Sequence, residues 1–249
     1  MMKATKLLLI STIALTSLVG AKMVQAEDAN TLTTTGLVTF EASNDPNTPI
    51  DPNNPENEVT PIDPTEPGGV PPVGTTGPLS IDFASSVVFG LNKISGQDET
   101  YYANAQALEG GEYRGNYVQV TDKRGSNAGW KLIVKQDGQF RNISTLNQEL
   151  NGAQLSFSEP AIFTNTEGVD EPTATPFVLD PEGEASTVMV AEENAGAGTW
   201  INMFGNVSTI DGVEKNTAIT LEIPGKIAKD AVSYGTKLNW TILDSPGNE

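Results

Sequence analysis

The sequence predicts an all-β protein, an antiparallel sandwich or barrel-like domain over residues 79–249 preceded by a Pro-rich acidic linker. Three observations carry that expectation. Short apolar runs alternate with polar residues at period two. Turn dipeptides such as Asp137-Gly138, Asn151-Gly152 and Asp211-Gly212 separate the runs. No window carries an apolar stripe at helical spacing over three turns.

Taken in order, Leu79, Ile81 and Phe83 alternate at the start of the domain. "NYVQVTD" places Val118 and Val120 on one face, and "GWKLIVKQ" places Trp130, Leu132 and Val134 opposite Lys131 and Lys135. "AITLEIPG" aligns Ile219, Leu221 and Ile223, and "KLNWTI" aligns Leu238, Trp240 and Ile242. Many short strands with turn residues between them are the pattern of a sandwich or barrel.

Upstream of the domain the composition changes. Ten of the 16 prolines fall in residues 44–78, with Asp-Pro steps at Asp45-Pro46, Asp51-Pro52 and Asp63-Pro64. Residues 27–78 hold nine acidic side chains and no Lys or Arg. Few apolar groups and mutual repulsion predict a disordered, semi-rigid spacer over 44–78. Before it, "TTTGLVTFEAS" alternates like one short strand within residues 27–43. A lone strand is unstable in water, so it needs either the domain or another protein as partner. Residues 1–26 read as a secretory signal peptide: Lys3 and Lys6, an apolar run from Leu7 to Ala21, then Val24-Gln25-Ala26. That run is too short and too rich in Ser and Thr to span a bilayer, and no later segment is long and apolar enough.

Charge and missing residue types narrow the function. The chain carries 14 basic and 32 acidic residues, a net of −18. Without residues 1–26 it would hold 11 basic residues and a net near −21. The large basic footprint that nucleic acid binding needs is lacking. With no Cys and no His, thiolate nucleophiles, His-based triads and ordinary zinc sites drop out, and no cofactor or metal is expected. A glycosidase would need only two carboxylates, but no pair stands out among so many, so no catalysis is expected. The oxygen-rich runs "DPNNPENE" and "TNTEGVDE" do not have the spacing of an EF-hand loop.

The runs "SIDFASSVVFG", "YVQVTDKRGSNAGWKLIVKQ", "GAGTW" and "YGTKLNWTILDSP" together resemble the WxL-domain surface proteins of low-GC Gram-positive bacteria. The family's distal motif is Tyr, three residues, Leu, one, Trp, one, Leu, three, Pro. Tyr234, Leu238, Trp240 and Pro246 meet it, with Ile242 in the slot where the family usually has Leu. Trp130 and Leu132 meet the proximal motif unchanged. The resemblance implies non-covalent attachment to peptidoglycan at the cell surface. It also implies partners, namely membrane-anchored WxL-interacting proteins and larger WxL proteins. The chain ends at "DSPGNE" with no covalent sorting signal, which fits that mode of retention.

Two readings of the tryptophans stay open. An indole flanked at ±2 by aliphatic residues is a core residue in the simpler reading, and a sugar-stacking surface in the other. Trp200, after a Gly-rich turn, is less clearly on an aliphatic face. Lys123, Arg124, Lys131, Lys135 and Arg141 crowd into 19 residues around the proximal motif, as a candidate basic patch or a solvated face. The function expected is wall retention; the alternative is an adhesin-like subunit whose main contact is a partner surface protein or host matrix.

Overall fold

The computed structural model describes residues 32–246 and divides the chain into two compact units, residues 1–39 and 40–249. The expected signal peptide and the first residues of the N-terminal strand segment lie outside the described residues. No helix occurs among the described residues, and none is long and apolar enough to cross a membrane.

Seventeen strands follow one another along the chain. They are β1 (Ile50–Asp51), β2 (Asn54–Glu58), β3 (Leu79–Ala84), β4 (Glu99–Asn104), β5 (Gln106–Ala107), β6 (Tyr113–Arg114), β7 (Tyr117–Asp122) and β8 (Trp130–Gln136). Then come β9 (Gln154–Phe157), β10 (Pro160–Thr164), β11 (Thr173–Ala174), β12 (Phe177–Val178) and β13 (Ser186–Ala191). The last four are β14 (Gly198–Phe204), β15 (Val207–Ile210), β16 (Val213–Ile223) and β17 (Leu238–Leu243). The alternating runs at 79–83, 117–122, 130–136, 218–223 and 238–242 all lie in strands, β3, β7, β8, β16 and β17, whereas the "VVFG" run at 87–90 forms none.

All ladders between these strands are antiparallel. One sheet runs β10-β14-β7-β3, a second runs β11-β13-β8-β17, and a third runs β12-β9-β16-β15 with β4 also paired to β16. The inward faces of the first two sheets meet in one core, where Val118, Val120 and Trp200 join Trp130, Leu132 and Val134. The third sheet adds Leu155, Phe157, Ile219 and Leu221 to the same core. Alternation explains most of this: on β8, Trp130, Leu132, Val134 and Gln136 are buried, while Lys131, Ile133 and Lys135 turn outward.

Strand β7 breaks the alternation, because all six of its residues are buried. Its outer face, Tyr117, Gln119 and Thr121, lies under residues 47–51, which had been expected to form part of a disordered spacer. That expectation is corrected by the structure over the first part of the segment. Ile50 fills a second apolar cluster with Phe83, Tyr117, Ile201 and Met203. Its backbone N–H donates to Gln119 Oε1 at 2.8 Å, and Gln119 Nε2 donates to the Thr48 carbonyl at 3.0 Å. Asp82, also buried, accepts from Asn47, Ser80, Gln119 and Thr121.

Residues 45–65 form a strap on the domain, and it is fastened by two copies of one short motif. Thr48–Pro52 and Thr60–Pro64 both read Thr-Pro-Ile-Asp-Pro. In each, the Asp carboxylate closes a turn by accepting the N–H two residues on, from Asn53 in one copy and Thr65 in the other. Each Asp also reaches a distant residue of the domain, Asp51 to Arg114 and Asp63 to Ser86. The prolines carry no backbone donor, so packing this segment leaves few amides to satisfy.

The strand expected within 27–43 is not formed in its described part. Residues 32–43 enter no ladder, and Leu37, Val38 and Phe40 stand exposed. A β-rich run that pairs with no other strand has nothing to hold it in a strand.

Candidate functional site

The two Trp-x-aliphatic units, 110 residues apart in sequence, lie on neighbouring strands. β17 pairs antiparallel with β8, setting Leu238 opposite Gln136, Trp240 opposite Val134 and Ile242 opposite Leu132. Strand β8 is central and β17 is the edge of its sheet. That difference separates the two tryptophans. Trp130 and Leu132 are fully enclosed at 0 % exposure, whereas Leu238, Trp240 and Ile242 are half-buried against the same core.

Trp200, whose exposure the sequence left open, is also enclosed. The two enclosed indoles share one feature. Trp130 Nε1 donates to the Gly196 carbonyl and Trp200 Nε1 to the Ala197 carbonyl, each at 2.9 Å. The Gly-Ala-Gly-Thr-Trp run is therefore the turn that satisfies both buried indole donors. Gly196 has φ +72°, and a Cβ there would lie 2.3 Å from the Ala191 Cβ and 2.7 Å from Trp130 Nε1. Gly196→Ala is expected to cost about 2–4 kcal/mol, since it adds a left-handed strain and a clash with the Ala191 side chain and the Trp130 indole. A thermal melt within a degree of the parent would contradict this.

Tyr234, the first residue of the distal motif, fastens a loop. Its hydroxyl accepts the Asp230 N–H at 2.9 Å and donates to the Asn147 carbonyl at 2.7 Å. The Asp230 carboxylate in turn accepts from the Thr145 hydroxyl and from the backbone and side-chain N–H groups of Asn147. Those bonds, Thr145 first, hold the Asp230 carboxyl down to about 2. Pro246, half-buried, lies in the turn after β17.

The structure does not bring the five basic candidates together. Arg124 is occupied: it forms a bidentate pair with Asp122 at 3.0 and 2.7 Å and also donates to the carbonyls of Gly129 and Asp244. It ties the end of β7 to the start of β8 and to the end of β17. Lys123 donates to the Asp45 carbonyl in the strap. Arg141 lies beyond the far end of β8, 3.7 Å from Asp137. A seven-residue strand at ~3.3 Å per residue puts roughly 20 Å between the two arginine positions.

Lys131 and Lys135 differ from these. They flank Ile133 on the outer face of β8 and make no salt bridge among the described residues. Register places Leu243, Thr241 and Asn239 of β17 beside Lys131, Ile133 and Lys135, and Val190 and Thr187 of β13 on the other side. The same two strands therefore carry buried aromatics inward and a mixed cationic and hydroxyl face outward. Such a face can contact a carboxylate or hydroxyl-rich polymer through short-range bonds.

No group of His, Cys, Asp or Glu that could hold a metal occurs among the described residues. A helix-free sandwich with enclosed tryptophans and one such sheet face has the build of an all-β binding module. The family model described as "WxL domain surface cell wall-binding" matches residues 27–246, and the chain belongs to this WxL family. The family is one of cell wall-binding domains, which gives the chain a cell-surface location. Comparison with curated proteins and with solved structures gave no match.

Proposed function

We propose that this chain is exported and held non-covalently on the cell wall by peptidoglycan, bound through the outer face of β8 and β17, and that it performs no catalysis. The observation that carries the reading is the pairing of the two family motifs on adjacent strands, with Lys131 and Lys135 projecting from the face opposite the tryptophans. The cations meet stem-peptide carboxylates while Asn239 and Thr241 meet sugar hydroxyls. A protein with so many carboxylates is repelled by an anionic wall over roughly a Debye length, ~8 Å at physiological salt. Two unpaired lysines on one face let that face approach first.

Sedimentation with protein-stripped sacculi tests this. The full chain pellets, and Lys131→Glu with Lys135→Glu lowers its affinity about tenfold, on the order of 0.7 kcal/mol per reversed surface charge. A double variant that melts normally and pellets like the parent removes this face from the site.

The exposed Leu37, Val38 and Phe40 favour a second contact, to a surface partner protein within a larger complex. An extended run of this kind adds to the open edge of another sheet. If the chain pellets only when such a partner is supplied, that contact is the main one.

A further inference from the structure

At the end of the domain where β8 and β16 finish and β4 and β17 begin, three connections are laced together: residues 89–98, 137–153 and 224–237. Lys229 Nζ reaches from the third to the first, donating to the Ser95 carbonyl at 3.3 Å, and closes its own loop on the carbonyls of Pro224 and Ile227. The Gly225 N–H donates to the Asp98 carboxylate at 2.8 Å. Asn142 Nδ2 donates to the Ser233 carbonyl at 2.8 Å, and Arg141 and Gly235 exchange both backbone bonds. Asp230 and Tyr234 add their bonds to Thr145 and Asn147. The rings of Phe89 and Phe140 meet edge to face with centroids 6.4 Å apart.

What this lacing holds outward is apolar. Leu91, Ile143 and Leu146 are at least 79 % exposed, Ile94 is 58 % and Val232 46 % exposed. Each lies within two residues of one of those cross-loop bonds or of the ring contact, so all five share one end of the molecule. Loops tied at so many points hold their side chains in one arrangement, as a contact surface requires.

The surroundings narrow the occupant. None of the aromatic side chains in these loops is exposed, so no ring is offered for stacking on a sugar. The three connections hold five basic and four acidic residues, within a chain that has 14 and 32. Most of the net charge therefore lies elsewhere. Lys93 and Lys226 are exposed and make no salt bridge among the described residues. Bordering the same loops is a groove lined by Asp98, Glu99 and Glu222. An anionic lipid surface would be repelled by those carboxylates. A surface that carries both signs beside an apolar centre is complementary to itself. Five exposed aliphatic side chains and the ground between them approach the roughly 800 Å² per partner of a standard interface.

We propose that this end of the domain is a two-fold interface between two copies of the chain. The aliphatic side chains of each copy pack on those of the other, and Lys93 and Lys226 of each face the acidic groove of the other. In such a pair every contact is made twice. The pairing does not rest on the wall-binding reading, since it leaves the outer face of β8 and β17 free. Joined to that reading, it gives each particle two wall-binding faces and the avidity that follows.

Sedimentation equilibrium of the full chain at about 100 μM and about 1 μM tests it. The mass of two chains is expected at the higher concentration, falling toward one at the lower. Ile143→Asp with Leu146→Asp keeps the parent melt, because both side chains already stand in water, and weakens pairing at least tenfold. Leu91→Asp, on a separate loop, weakens it as well, so a defect confined to one loop does not decide the result. The proposal is overturned if the parent has the mass of one chain at both concentrations, or if the double variant and Leu91→Asp pair like the parent. It is overturned too if a chain that stays single co-sediments with phosphatidylglycerol vesicles through these residues, which assigns the patch to lipid. Sacculus pelleting of the parent separates the two readings. Pelleting as a single chain sinks the pairing alone, and pairing without pelleting sinks the wall-binding face alone.

Discussion

Trp130→Ala is expected to destabilise the domain by about 3–5 kcal/mol, the cost of emptying a fully enclosed aromatic site. For a domain of this size that is a melting shift of roughly 8–16 °C. The indole lies on the central strand β8, between β13 and β17, and its N–H is spoken for by the Gly196 carbonyl. Truncation therefore loses apolar burial, leaves a cavity the sheet cannot close, and frees a buried carbonyl. Trp240→Ala is expected to cost about 1–2 kcal/mol, because the edge strand already leaves part of its indole in water. The pair sorts structure from contact. In sacculus pelleting, Trp130→Ala loses binding only in proportion to unfolded protein. Trp240→Ala stays folded and reports whether its exposed part touches the wall. Equal melts for the two variants would show that the central and edge positions are not different environments.

The contrast between these two residues also marks how far sequence alone could reach. Alternation in "GWKLIVKQ" and "KLNWTI" places both strands, and the Asp211-Gly212 step places the hairpin of β15 and β16, where both turn residues have positive φ. Period two says which face a side chain takes. It does not say whether the strand is central or at an edge, and that decides the burial of Trp130 against Trp240. The basic cluster failed for a related reason. Nineteen residues that read as crowded in a string are drawn out along an extended strand, and Arg124 is consumed by Asp122 beside it.

The strap was the larger surprise, and its cause is tertiary. Proline content and like charge argue for a spacer only while each Asp is taken to face other Asp residues. Asp51 instead meets Arg114, 63 residues away, a partner that no local window reveals. The repeated Thr-Pro-Ile-Asp-Pro was the available signal, since a spacer needs composition but has no need of a motif with an isoleucine at one fixed place. That isoleucine proves to be buried in the first copy, and in the second it lines a cavity beside the β15–β16 hairpin.

Arg114→Ala is expected to release the strap at neutral pH without unfolding the sandwich. Arg114 Nε and Nη2 each lie 2.7 Å from an Asp51 oxygen, and both side chains are mostly enclosed. Removing one member of such a pair strands the other charge, at a cost of about 2–4 kcal/mol for a site that keeps some access to water. Local release is the expected form of the loss, because the buried Ile50, the Gln119 side chain bonded to Ile50 N–H and to the Thr48 carbonyl, and the Asp51–Arg114 pair are the main ties of β1 to the domain. Hydrogen exchange at the Ile50 amide reads it directly, against β8 amides as an internal control. Acid acts on the same ties. The hydrogen bond from Arg114 holds the Asp51 carboxyl below the usual range. At Asp63, burial pushes upward, but hydrogen bonds from Ser86 and Thr65 outweigh it and the net shift is also downward. Lowered values in the docked form mean that their contribution is complete above the free-chain value of about 3.9 and is lost as pH falls through the docked values. Ile50 exchange in the parent therefore stays slow from pH 7 to about 5, after correction for the intrinsic rate. It quickens below about 4, and Arg114→Ala removes the Asp51 share of that dependence. Protection of Ile50 that is equal in the parent and in Arg114→Ala at pH 7 would mean that burial of the isoleucine, and not the ion pair, fastens the strap.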